Sequence, residues 1–219
     1  MAELNLMDKY PRSVRKIDER AKLITEEHRA VARLFDERFF DGDRLTGYGG
    51  YNYHPRFWTD TVKKMRDHYG LAPDASVLDV GCGKGFMMQD FQKLMPDMTV
   101  RGVDISEYAI ENTMTDMKEN VSVGDASSLS FEGNSYDLVI SINTVHNLPL
   151  DKCKTALKEI ERVSCGDSFI IVDAWRTEDE KRRMLDWNLT ALTYMHVDDW
   201  VSLFEEVGYT GDYYWFIAE

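Results

Sequence analysis

Three glycines and two acids in the middle of the chain have the types and spacing of a nucleoside-binding turn. The run Val77-Leu78-Asp79-Val80-Gly81-Cys82-Gly83-Lys84-Gly85 sets a short apolar strand against Gly81, Gly83 and Gly85. Glycines there permit a tight turn and let main-chain N–H groups approach a ligand with no Cβ in the way. Phe86 to Leu94 reads as an amphipathic helix, so the turn delivers its ligand to a helix N-terminus. Asp104 closes the next strand, Thr99 to Val103, where a carboxylate can bond both hydroxyls of a ribose. The spacing is G-x-G-x-G and not the G-x-G-x-x-G of nicotinamide and flavin sites. Asp79 lies two positions before the first glycine, where its charge would repel a diphosphate and suit a cationic or ammonium-bearing ligand. Plainer roles stand beside these. The glycines could be turn residues without a ligand, and Asp104 could cap the following helix, although Ser106 is the better N-cap.

The segment Asp79-Val80-Gly81-Cys82-Gly83-Lys84-Gly85 resembles the first motif, D/E-x-G-x-G-x-G, of the class I S-adenosylmethionine-dependent methyltransferases. The resemblance covers roughly residues 71 to 174 motif by motif. It implies a Rossmann-like seven-stranded sheet and S-adenosylmethionine as cofactor, with S-adenosylhomocysteine as product. Carried over residue by residue, it assigns Asp79, Gly81, Cys82, Gly83, Gly85, Asp104 and Ile105 to the cofactor. In the family an Asp such as that of Gly124-Asp125-Ala126 bonds the adenine amino group and the next residue offers its amide, which assigns Asp125 and Ala126 to the base. Asp125 could also be a simple turn residue. Tyr136 to Ile142 resembles the fourth strand, with Asn143 to Asn147 as the loop where substrate meets cofactor; Asn143 is expected on the cofactor and Asn147 on the substrate. Leu157 to Val163 looks like the helix before the fifth strand, Ser168 to Asp173. Cys82 fills the turn, since no activating base stands near it in sequence.

Methyl transfer from a sulfonium needs alignment, exclusion of water and a destination for a proton. His146, beyond the fourth strand and with a reference pKa of about 6.5, is the candidate base; a histidine bonded to backbone is the alternative. Asp173 and His196 are expected to line the acceptor pocket. The stretch Gly47-Tyr48-Gly49-Gly50-Tyr51-Asn52-Tyr53-His54-Pro55-Arg56-Phe57-Trp58 joins glycine mobility to aromatic area, as a lid over a ligand would. Tyr48, Tyr51, Tyr53 and Arg56 are the candidates there for contact with substrate or the methionine end of the cofactor, since a cation over a ring gains on the order of 1 kcal/mol.

The elements that must hold these groups follow from periodicity and capping. Helices are expected at about 8 to 20, at 25 to 39 with Thr25 as cap, and at 55 to 69 between Pro55 and Gly70. From residue 76 strands and helices alternate as βαβ units, which gives an α/β class with a mainly parallel sheet and helices on both faces. A late helix from Trp200 to Val207 should end at Gly208. Tyr213 to Ala218 should be the last strand, antiparallel at the sheet edge as in the family. The expected organisation is an N-terminal helical cap with its Gly/Tyr lid loop over residues 1–70 and a cofactor-binding domain over 71–219.

Composition bounds the partners. A chain of 219 residues with 43% hydrophobic content can bury a sizeable core. Three scattered cysteines, Cys82, Cys153 and Cys165, give neither a disulfide framework nor a zinc site, so no metal is expected and a reducing, cytoplasmic setting is. The net charge of −13 offers no broad basic face for phosphates, which disfavours DNA and RNA. No apolar run approaches bilayer length, so no membrane partner is expected. After the fourth strand there is no Asn/Asp-Pro-Pro-aromatic signature, which disfavours adenine and glutamine amides as acceptors. The reading is transfer of a methyl group to an oxygen or nitrogen of a small-molecule metabolite, with a homodimer left open. The alternatives are an NAD(P)-dependent oxidoreductase and a non-catalytic adenosyl-binding regulatory protein.

Overall fold

The computed structural model describes residues 1–11, 15–50 and 52–219. Among the described residues its centre is a seven-stranded sheet. The strands are β1 (Ser76–Val80), β2 (Thr99–Asp104), β3 (Val121–Val123), β4 (Tyr136–Ile142), β5 (Ser164–Trp175), β6 (Met195–His196) and β7 (Asp212–Phe216). They lie in the order β3-β2-β1-β4-β5-β6, with β7 paired to β5. All named pairings are parallel. This corrects the expectation for the last strand. It enters after the helix Val197–Val207, and such a helical connection supplies the crossover that a parallel return requires.

Alternation along the strands divides the core between the two faces. Leu78, Val80, Val139, Ile170 and Val172 face one way, against α7 (Leu150–Val163) and α9 (Val197–Val207), through Leu157, Ile160, Trp200 and Phe204. Val77, Leu138, Ile140, Phe169 and Ile171 face the other way, toward α5 (Phe86–Leu94) and α4 (Pro55–Tyr69), with Met88, Phe91, Val62 and Met65. The N-terminal region therefore shares the sheet's core: Leu6, Val62 and Met65 are buried in it. Ala2 to Leu4 also runs beside β7, with Leu4 N–H donating to the Tyr213 carbonyl at 2.8 Å.

α4 matches the sequence reading, since His54 and Pro55 start it and Gly70, at φ 60°, ends it. The other two cap helices do not. Of the helix expected over 8 to 20, residues 12–14 lie outside the described residues, residues 8–11 are not helical, and the described helix there is α1 (Ile17–Ala21). The helix expected over 25 to 39 is broken into α2 (Glu26–Ala32) and α3 (Glu37–Phe40). Phe35, at φ 49°, leaves the helical region, and the Asp36 carboxylate accepts the Arg38 N–H at 2.9 Å, so an internal cap competes with continuation. The remaining helices are α6 (Glu107–Glu111), capped by Ser106, and α8 (Glu178–Trp187), capped by Thr177. Among the described residues no helix is long and apolar enough to cross a membrane.

Candidate active site

Strand order reverses between β1 and β4, and crevices that receive ligands open at the carboxyl ends of parallel strands at such a point. The glycine turn stands there. Gly81 and Cys82 donate to the Val103 carbonyl at 2.7 and 3.0 Å, which ties the turn to β2. Gly81 has φ 88°, and a Cβ on it would lie 2.0 Å from the Thr144 hydroxyl, so the loop after β4 closes directly on the turn. Gly83 and Gly85 also have positive φ, and Gly85 precedes α5.

Asp104 ends β2 nearly buried. One carboxylate oxygen accepts Gly83 N–H at 2.8 Å and the other accepts Ser106 N–H at 2.9 Å. The acid thus ties the glycine turn to the loop before α6, and each oxygen retains a second lone pair for a hydroxyl. The structure assigns the helix cap to Ser106, whose hydroxyl accepts Ala109 N–H. Ile105, beside Asp104, is 55% exposed, an apolar face open to a planar ring. Asp79 is 5% exposed, and its carboxylate has no hydrogen-bond partner among the described residues. Burial, and then the charge of Asp104, push its pKa up to about 8. A buried acid without a partner beside an open glycine turn fits a ligand that brings its own ammonium group, whereas a diphosphate would add negative charge where burial already opposes ionisation of two acids. The same burial and the same two acids raise the Cys82 thiol, which leaves it unreactive.

Asp125 is partly buried, which opposes ionisation, yet bonds from Ser127 and Lys152 hold its carboxyl below the usual range. Ala126 follows it, packed on the core. Asn143 takes φ 54° in the loop after β4 and is exposed. The sequence reading did not foresee the lid over this region. The Phe40 ring lies 3.5 Å from where a Gly83 Cβ would stand, and Asp41 bonds Lys84 at 2.6 Å and Tyr108 at 2.7 Å. Phe35 accepts the Ser106 hydroxyl at 2.5 Å. Only the break at Asp36 signals this arrangement in the sequence.

His146 and Asp173 meet at the ends of β4 and β5. His146 Nδ1 accepts the Asp173 main-chain N–H at 2.9 Å, and its Nε2 stands 3.7 Å from the Asp173 carboxylate. With Nδ1 used as an acceptor, the neutral ring carries its proton on Nε2. Burial pushes the imidazole down to about 3, so it is neutral throughout the physiological range. Burial pushes Asp173 up to about 7, opposed by the Arg15 charge. Tyr48 lies against this pair: its hydroxyl accepts Leu189 N–H at 2.6 Å, and burial and then the Asp173 charge push its pKa up to about 12. Its ring stacks on Trp187 at 5.5 Å, and Arg15 lies over the same indole at 5.2 Å.

Three other expected acceptor residues, Tyr53, Arg56 and His196, are engaged by neighbours of their own. The Tyr53 hydroxyl donates to Asp90 on α5 at 2.7 Å, because that buried carboxylate needs a donor. Arg56 is exposed on the first turn of α4 and stacks on Phe57. His196 caps α9, with Nδ1 accepting Asp198 N–H and Nε2 at 3.1 Å from the Arg176 carbonyl, so both ring nitrogens are engaged. Asn147 lies one residue past His146, its amide donating to the Asn143 carbonyl at 3.0 Å. Tyr51 lies outside the described residues.

Comparison with known proteins follows the same lines. A family described as methyltransferase domain matches residues 77–165. Over 134 residues the chain is 33% identical to the tRNA (carboxymethyluridine(34)-5-O)-methyltransferase of Arabidopsis thaliana, covering 60% of this chain and 31% of that one. Over 138 residues it is 35% identical to the demethylmenaquinone methyltransferase of Staphylococcus aureus, covering 61% of this chain and 55% of that one. The chain thus spans about a third to just over half of these relatives. The YcgJ protein of Bacillus subtilis shares the fold, with a TM-score of 0.52 at 21% identity over 67% of this chain and 66% of that one.

Proposed function

We propose, for a chain whose residues 77–165 are a methyltransferase domain of the class I S-adenosylmethionine-dependent type, that it transfers a methyl group to an oxygen or nitrogen of a small molecule. The observation that carries this reading is the buried, unpartnered Asp79 carboxylate beside the glycine turn and Asp104. In it, Asp79 holds the ammonium group and Asp104 the ribose hydroxyls. Ile105, Asp125 and Ala126 frame the base. Gly81, Cys82, Gly83, Gly85 and Asn143 shape the wall. When bound, S-adenosylmethionine supplies an electrophilic methyl group on positive sulfur, so the protein's task is alignment and exclusion of water. Phe40 and the Asp41–Lys84–Tyr108 contacts supply the exclusion.

The Asp173–His146 pair supplies the destination for a proton. In the observed arrangement both His146 nitrogens are used, one as acceptor and one as proton carrier, so His146 acts as a positioning residue that turns its N–H toward Asp173. A carboxylate held near neutrality is matched to accept a proton from a hydroxyl or ammonium at physiological pH. Tyr48 and Asn147 are the acceptor contacts in this reading. The 1–70 segment acts in this reading as a cap over the domain formed by 71–219.

A small-molecule acceptor is favoured over tRNA by the acidic balance, and the basic clusters of the cap and of α8 are already paired: Lys64 with Asp8, Arg66 with Asp67, and Arg182 and Arg183 with Asp179. The test is S-adenosylhomocysteine release from S-adenosylmethionine across a metabolite panel, with total tRNA as a parallel arm. Turnover with a metabolite and none with tRNA is the expected result; turnover with tRNA alone would overturn the acceptor class.

A further inference from the structure

We propose that Arg33 anchors a carboxylate carried by the methyl acceptor; this deepens the methyl-transfer reading and rests on it. Arg33 is the C-cap residue of α2. Its Nε–H is buried without an acceptor, and the guanidinium has no hydrogen bond, ion pair or ring contact among the described residues. Its neighbours are committed: Arg29 donates to the Asn188 carbonyl at 3.0 Å and pairs with Glu26, and Arg38 pairs with Asp36. A guanidinium donor removed from water without an acceptor is a cost that an anionic ligand oxygen would relieve.

The placement of Arg33 follows from its neighbours. Arg29, one turn earlier on the same face of α2, holds the segment after α8 at Asn188. Phe35, two residues later, receives the Ser106 hydroxyl beside Asp104. The Arg33 backbone therefore lies between Ala32, which packs with Leu189, and Phe35, whose carbonyl meets Ser106 just beyond β2. The far end of that same segment reaches the loop after β4, since Leu192 and Thr193 donate to the His146 carbonyl at 3.0 and 2.9 Å. Next to His146, the Asn147 side-chain oxygen is a second buried atom without a partner. There is thus an unused donor at the end of α2 and an unused acceptor in the loop after β4. Together they suit an acceptor molecule with an anionic oxygen at one end and an O–H or N–H at the other. A carboxylate matches better than a phosphate. One guanidinium balances one negative charge, and its fork matches the two oxygens of a carboxylate.

The test titrates the S-adenosylhomocysteine-loaded protein with sodium propionate, propionamide and inorganic phosphate. The readout is the Arg33 Nε–Hε resonance in ¹H–¹⁵N spectra and, in variants, the neighbouring backbone amides. Propionate should shift the signal saturably and propionamide should leave it unmoved. Arg33→Met should weaken propionate binding by about tenfold or more, and Arg33→Lys by less, with S-adenosylhomocysteine affinity unchanged in both. No saturable response to propionate, tighter binding of phosphate, or lost S-adenosylhomocysteine affinity in Arg33→Met would each overturn the proposal. A wild-type protein that bound no S-adenosylhomocysteine would instead remove the methyl-transfer reading, and this inference with it.

Discussion

Replacing Asp79 by Asn should abolish a pH dependence of cofactor affinity that the structure makes calculable. With its pKa near 8, Asp79 is neutral in about nine of ten unliganded molecules at pH 7. An ammonium group favours the ionised form, so binding draws the proton off Asp79, and after the ligand's own amine is fully protonated a net release of about 0.8 proton per ligand is expected at pH 7. Affinity for S-adenosylmethionine should then rise nearly tenfold between pH 6 and pH 7, a range below the ligand's own α-amino pKa of about 8. Asp79→Asn should flatten that slope and weaken binding by roughly 1.5–3 kcal/mol at pH 7.5, the value of a charge-assisted bond, and by less at pH 6. The same group predicts the stability of the unliganded protein. Its folded pKa lies above its unfolded value of 3.8, so the folded state binds the extra proton and stability falls by about 1.4 kcal/mol per unit as pH rises from 4 to 8. Asp79→Asn should be more stable than wild type at pH 7. The assays are isothermal titration in buffers of different ionisation enthalpy and chemical denaturation across pH. A flat affinity profile in wild type, or undiminished affinity in Asp79→Asn at pH 7.5, would refute the assignment.

Three further outcomes are expected. Asp104→Asn offers one acceptor where two N–H groups converge, so it should lower stability by about 1–3 kcal/mol in denaturant titration and weaken S-adenosylhomocysteine at least about tenfold; intact binding would remove Asp104 from the ribose site. Gly81→Ala drives a methyl group to 2.0 Å from the Thr144 hydroxyl at a φ of 88°, and should cost about 2 kcal/mol or more, read as a shifted denaturation midpoint; an unchanged midpoint would contradict the close approach of the two loops. Turnover should rise with pH through about 7 as Asp173 ionises, and Asp173→Asn should lower kcat by about 10² or more and abolish that inflection, while a retained inflection would locate the base elsewhere.

The glycine turn and the acid beside it were legible in the sequence because their parts are local. The glycine turn, the strand before it and the acid after the next strand are fixed by backbone sterics and period-two burial. Gly70 and Gly208 ended their helices where the sequence placed them, in the left-handed conformation. The acceptor side depends on long-range packing. Tyr53 went to Asp90 and His196 to a helix cap, each by satisfying a buried or main-chain group that sequence spacing does not reveal. The break between α2 and α3 turned on Asp36 outcompeting helix continuation, a balance within about 1–2 kcal/mol that apolar periodicity alone misjudges. The direction of β7 followed from its crossover helix and not from its composition.

The most direct measurement is a crystal structure with S-adenosylhomocysteine bound, paired with titration of NAD. The account predicts an amino group on Asp79, ribose hydroxyls on Asp104, an adenine against Ile105, and no NAD binding. A dinucleotide seated on the glycine turn, or a nucleoside that leaves Asp79 without a partner, would contradict it.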